Sequence, residues 1–128
     1  MISGLLVTLM CSMVAPSYTG APLIDVGGVD QTVKMRCTCY LPTGNCMYDG
    51  TPCYEGAISS NKEHVGQTAV LYTLDGELIG IFECHDIGGN VQLRNGTAID
   101  VYRDNMDRAL EWVHTYGDYV LVKWVDAK

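Results

Sequence analysis

The stretch Glu83-Cys84-His85-Asp86-Ile87-Gly88-Gly89, followed after a polar loop by Gly96-Thr97-Ala98-Ile99-Asp100-Val101-Tyr102, places two acids in segments that are otherwise apolar or turn-forming. Asp86 precedes a Gly-Gly pair, where a chain can bend sharply and approach a ligand closely. Asp100 lies between Ile99 and Val101 in a run that reads as a buried strand, so an acid there needs a reason. At the rim of an apolar groove, desolvation and a neighbouring like charge would both raise its pKa, which a general acid requires near neutral pH. The plainer reading is that Asp86 caps a turn and Asp100 accepts backbone hydrogen bonds at a strand end, roles that aspartate fills often.

Outward from these segments the hydrophobic period is mostly two. Val33, Met35, Cys37 and Cys39 alternate with Lys34, Arg36, Thr38 and Tyr40, the pattern of a half-buried strand. Turn formers dominate from Leu41 to Tyr54. Two apolar, β-branched runs, Gln67–Leu74 and Glu77–Cys84, meet at Asp75-Gly76 and read as a hairpin. Asp104 is expected to cap a helix whose apolar face is Met106, Ala109, Leu110 and Val113 and whose stop is Gly117. Tyr119–Val125 alternates again and closes the chain on a strand. Several short strands with one helix imply a small barrel. Ile99, Val101, Leu110, Val113, Val120, Val122 and Trp124 are its expected buried residues.

At 128 residues there is room for one modest core. A net charge of −7 and a pI near 4.6 repel phosphate backbones, so nucleic acid is a poor partner. The apolar run Leu5–Val14 matches a signal-peptide core and is too short to span a bilayer, although no Lys or Arg precedes Lys34. Residues 1–31 are therefore expected to be an export leader and linker, with no stable membrane insertion after its removal, and residues 32–128 the folded domain. Cysteines stand at 11, 37, 39, 46, 53 and 84, an odd five once the leader is gone, and their spacing does not define pairs. The single-residue gap between Cys37 and Cys39 does not match paired zinc-knuckle spacing, so no metal site is expected. Cys84 and His85, as strand neighbours, should point to opposite faces and cannot share a proton.

The motifs Thr38-x-Tyr40, Gly56-Ala57-Ile58-Ser59-Ser60, Asp86-Ile87-Gly88-Gly89, Ile99-Asp100-Val101-Tyr102 and Ala109-x-x-Trp112 occur in the order of the bacterial three-aspartate cell-wall domains, which the chain resembles over roughly residues 36–125. The resemblance implies a mainly β fold: a small six-stranded double-psi β-barrel with one helix in the C-terminal half, as in membrane-bound lytic transglycosylase A and Gram-positive stationary-phase survival proteins. It implies peptidoglycan glycan strands as substrate and partner, no cofactor, and an exported, extracellular or wall location. In that family an acid matching Asp100 protonates the glycosidic oxygen and then, as base, draws the proton from the muramic C6 hydroxyl, leaving a 1,6-anhydro sugar. Asp86 would support it as the second catalytic acid, with Asn61, Gly88, Gly89 and Tyr40 binding substrate. Counting along Gly56-Ala57-Ile58-Ser59-Ser60 places Asn61 where the first family aspartate is expected, and asparagine holds no exchangeable acid proton. The alternative is a non-catalytic barrel that binds cell-wall glycan or serves a structural role. Asp86, Asp100 and Asn61 should in either case face one groove.

Overall fold

The computed structural model describes residues 29–126; of the leader and linker expected over residues 1–31, residues 1–28 lie outside the described residues. Six strands form: β1 (Val33–Tyr40), β2 (Ala57–Ser60), β3 (Gln67–Tyr72), β4 (Leu78–Ile87), β5 (Ala98–Tyr102) and β6 (Tyr119–Asp126). They close into a barrel in the order β1-β5-β2-β4-β3-β6, which leaves no open edge. β1 runs parallel to β5 and β2 parallel to β4; the other four pairings are antiparallel. A short helix α1 (Val91–Arg94) and a longer α2 (Met106–Tyr116) complete the fold, with a 3-10 turn at Lys62–His64. No described helix is long and apolar enough to cross a membrane.

Alternation sends Met35 and Cys37 of β1 inward, where they meet Ile58, Leu71, Phe82, Cys84, Ile99, Val101, Val120 and Val122. Val33, at the start of the strand, is exposed. The hairpin at Asp75-Gly76 forms between β3 and β4, closed by Thr73 N–H to Glu77 O at 2.8 Å. β2 carries no alternation because all four of its residues are buried, which is why its period cannot be read from the sequence.

Helix α2 differs from expectation in two respects. Its cap is Asn105, whose Oδ1 accepts the Arg108 N–H at 3.0 Å, rather than Asp104. Its buried stripe is Ala109 and Trp112, extended by the partly buried Tyr116, whereas Leu110 is 50% and Val113 38% exposed. The indole decides the orientation: Trp112 is nearly enclosed, meets Phe82 edge-on at 5.8 Å, and carries the Arg103 guanidinium over its ring at 5.4 Å. Burying one indole removes more apolar surface from water than burying a leucine and a valine halfway. The helix ends at Gly117 as expected, with φ 72°. Trp124, expected in the core, is half-buried and stacks on His64 at 3.7 Å.

Candidate functional site

The registers of three strand pairs set four side chains in one row across the barrel wall. Thr38 of β1 pairs with Asp100 of β5, Asp100 pairs with Ser59 of β2, and Ser59 pairs with Asp86 of β4. Ile99 and Val101 point into the core, so Asp100 between them points out of the barrel, and Thr38 and Ser59 share its face. Asp86 joins them through a bulge. Ile58 pairs with Cys84 but the next residue, Ser59, pairs with Asp86, so His85 is skipped. An unbroken register would set His85 opposite Ser59 and turn Asp86 to the side of core residue Ile58. With β2 between them, the two aspartate backbones stand two strand spacings apart, roughly 10 Å.

A strap, residues 41–56, crosses this face. Its Tyr48 N–H donates to Asp86 Oδ1 at 3.0 Å, an oxygen that also accepts the Ile87 N–H. Met47 of the strap is buried and accepts the Tyr40 hydroxyl on its sulfur at 3.6 Å. Tyr40 leans edge-on against Tyr102 at 5.5 Å. Burial, with the charges of Asp86 and Asp100 nearby, pushes the Tyr40 phenol far above its ordinary value, so it is a neutral hydrogen-bonding group on the acid row. Burial likewise holds the Asp100 carboxyl above its ordinary range, the Asp86 charge adding to it and the Thr38 hydroxyl, which donates to Oδ1 at 2.9 Å, partly offsetting it.

The other three expected site residues have local roles of their own. Asn61 lies two positions beyond Ser59 on extended backbone, hence on the same side of β2. Its Nδ2 packs 2.9 Å from where a Cβ on Gly96 would sit, and its buried Oδ1 has no partner. Gly88 donates its N–H to Ser60 O and leaves the space in which Leu93 of α1 seats, whereas the space beside Gly89 is open. Among the described residues no group of three or more His, Cys, Asp or Glu is placed to hold a metal ion. A cleft of about 510 Å³ lined by Phe82, Arg103, Arg108, Glu111, Trp112 and Tyr116, among others, opens beside α2, and neither aspartate lines it.

The strap is the part of the site that sequence reasoning missed. His85, displaced by the bulge, bonds Asp49 Oδ2 at 2.6 Å through Nδ1, and its Nε2 lies 3.0 Å from the Tyr54 hydroxyl and 3.3 Å from Glu83 Oε1. Tyr54 also donates to Glu83. Asp49 N–H to His85 O adds a backbone tie. The available signal was an Asp, a Tyr and a His around turn formers, too common to single out. Burial opposes charge on His85, but the bonds and charges of Asp49 and Glu83 outweigh it and raise its pKa. The Asp49 carboxyl is lowered, its bonds from His85 and Thr51 overcoming burial; Glu83 is lowered chiefly by the Tyr54 hydroxyl.

The signs define a pH window. The His85 contribution is complete below the ordinary imidazole pKa and is lost as pH rises through its raised value; those of Asp49 and Glu83 are complete above the ordinary carboxylate pKa and are lost as pH falls. The strap is therefore held best between about pH 5 and 6.5. Protection of the Asp49 amide against hydrogen exchange, corrected for intrinsic rate, should peak there, and a His85→Asn variant should flatten the peak. Equal protection at pH 6 and pH 9 in the wild type would show that this cluster does not anchor the strap.

These features define a small, mainly β protein with a closed six-stranded barrel and two acids on one outer row under a polar strap. The chain matches no protein-family model, no curated protein and no solved structure.

Proposed function

We propose that the barrel is a double-psi barrel of the three-aspartate kind and that it cleaves peptidoglycan as a lytic transglycosylase, with Asp100 as the acid and base. The observation that carries the reading is the half-buried Asp100, its carboxyl raised by burial, in the same outward row as Asp86. Only a carboxyl that keeps its proton near working pH can deliver it to a glycosidic oxygen. As the bond from C1 of the muramic sugar to that oxygen breaks, the C6 hydroxyl oxygen attacks C1 and its proton passes to the Asp100 carboxylate. Acid and base are thus one group, no water is consumed, and the product is a 1,6-anhydro sugar. Thr38 orients Asp100 through its hydroxyl, and Asp86 adds charge that favours the protonated form. The test is digestion of purified sacculi at pH 5–7 followed by mass spectrometry. Anhydro-muropeptides support the reading; ordinary reducing-end sugars or no release overturn it.

Asn61 favours a second reading, a barrel that binds wall glycan without cutting it, because an amide stands where the family carries its first aspartate. Retention on insoluble peptidoglycan without product would support this one. Asn61→Asp bears on both. Its carboxylate would replace a buried amide, so melting at pH 7 should fall by about 1–3 kcal/mol of stability. A carboxyl raised by burial loses stability as pH rises through its folded pKa, so the deficit should shrink toward pH 5. Release of anhydro-muropeptides by Asn61→Asp alone would identify Asn61 as the lesion that silenced the site. Unchanged melting at both pH values would place residue 61 outside any enclosed groove.

A further inference from the structure

The strap makes a tight turn at its middle. Met47 N–H donates to Thr51 O at 2.9 Å, Gly50 N–H to Met47 O at 2.8 Å, and Thr51 N–H to Asp49 Oδ1 at 3.0 Å. The residues that lead in and out, Asn45-Cys46 and Pro52-Cys53, therefore run back alongside each other. Cys53 Sγ lies 3.7 Å from the carbonyl oxygen of Asn45, the peptide that joins directly to Cys46. Both thiols thus sit at the neck of one turn, Cys46 exposed and Cys53 half-buried. The other described cysteines belong elsewhere: Cys37 and Cys84 are buried in the barrel core, and Cys39 faces the Ala109 carbonyl of α2.

We propose that Cys46 and Cys53 form a reversible disulfide that clamps the strap over the Asp86–Asp100 row. The co-reactant is a small-molecule disulfide. The exposed Cys46, as thiolate, attacks one of its sulfurs, forming a mixed disulfide and expelling one thiolate; Cys53 then attacks the Cys46 sulfur, expelling the second. The two protein thiols lose two electrons and two protons, and the reagent becomes two thiols. Burial, the Asp86 charge and Cys46 hold the Cys53 thiol up, which disfavours it as the first attacker; its place at the neck of the turn, not its acidity, carries the second, intramolecular step. The bond would fix the neck of the turn that carries Tyr48 to Asp86 and Asp49 to His85. Closing so short a loop constrains the unfolded chain enough to raise Tm by roughly 10 °C. This pairing rests on the turn geometry alone and stands whether or not the barrel cleaves glycan.

The full chain is equilibrated with oxidised glutathione or with dithiothreitol, alkylated, and cut with chymotrypsin after Tyr40, Tyr48 and Tyr54. Reduced protein gives Leu41–Tyr48 and Asp49–Tyr54 as separate alkylated peptides. Oxidised protein should give the two joined without alkylation, two hydrogens lighter than the sum of the unalkylated peptides, together with the higher Tm. Both signatures should vanish in Cys46→Ser, a change at an exposed position that leaves the core intact. Separate alkylated peptides after oxidation, or Cys53 joined to Cys37, Cys39 or Cys84, would overturn the proposal.

Discussion

Asp100→Asn is expected to lower release of anhydro-muropeptides by about a thousandfold, within the 10²–10⁴ range that a positioned general acid contributes, while making the domain more stable at neutral pH. The two effects share one cause. Burial holds the Asp100 carboxyl above its ordinary pKa, so the folded state binds a proton that the unfolded chain has already released. Stability on this account falls as pH rises through the folded pKa and stays lower above it. Asparagine has no proton to lose, and its Oδ1 can still accept the Thr38 hydroxyl that now donates to Asp100. The variant should therefore melt roughly a few degrees above wild type at pH 7, with the gap closing toward pH 4. Thermal melts at both pH values and product analysis by mass spectrometry read the two effects separately. A functional acid retained at a cost in stability is the pattern such sites commonly show. Loss of product together with a lower Tm at pH 7 would instead mean that Asp100 is a structural acceptor at a strand end.

The parts of this fold that were legible in the sequence are those governed by local pattern. The alternation of β1 and β6, the Asp75-Gly76 hairpin and the Gly117 helix stop each rest on chemistry within a few residues, and each appears where expected. The burial of α2 was not legible, because Leu110 and Trp112 lie on different faces and only the barrel end under Phe82 selects between them. The same holds for the acid row. Asp86 and Asp100 stand out as acids in apolar context, but the side of the sheet that Asp86 faces depends on a bulge opposite Ile58-Ser59, and no residue type announces it. The strap was hidden for another reason. Its ties to β4 join residues 48 and 49 to 85 and 86, contacts that only the folded β2–β4 pairing makes close. Gly88 and Gly89 are indistinguishable in the sequence as places where backbone could approach a sugar, and the neighbouring turn of helix separates them.

Gly88→Ala should be the most destabilising single methyl in the molecule's site region. A Cβ there would lie 2.0 Å from Leu93 Cδ1, 2.5 Å from its Cβ and 2.7 Å from its Cγ. The flexible end of Leu93 could swing aside, but its Cβ is fixed to α1, so relief requires the helix itself to move. Overpacking of this kind costs about 1–3 kcal/mol, and expelling the buried Leu93 from its seat forfeits about 2 kcal/mol more. For a domain of this size the sum is roughly 10–20 °C in Tm. Leu93→Ala in the same chain should recover only part of the loss, because the 2.5 Å contact to Cβ remains. Gly89→Ala meets nothing within 4 Å and should melt like wild type. The pair therefore separates two uses of glycine at one turn. If Gly89 is where backbone approaches a glycan, Gly89→Ala will keep its Tm yet sediment less with insoluble peptidoglycan, since the added methyl occupies the open side. A Gly88→Ala protein that melts with wild type would show instead that Leu93 is not seated there, and that α1 is free to carry the Asn90–Asn95 turn away from the acid row.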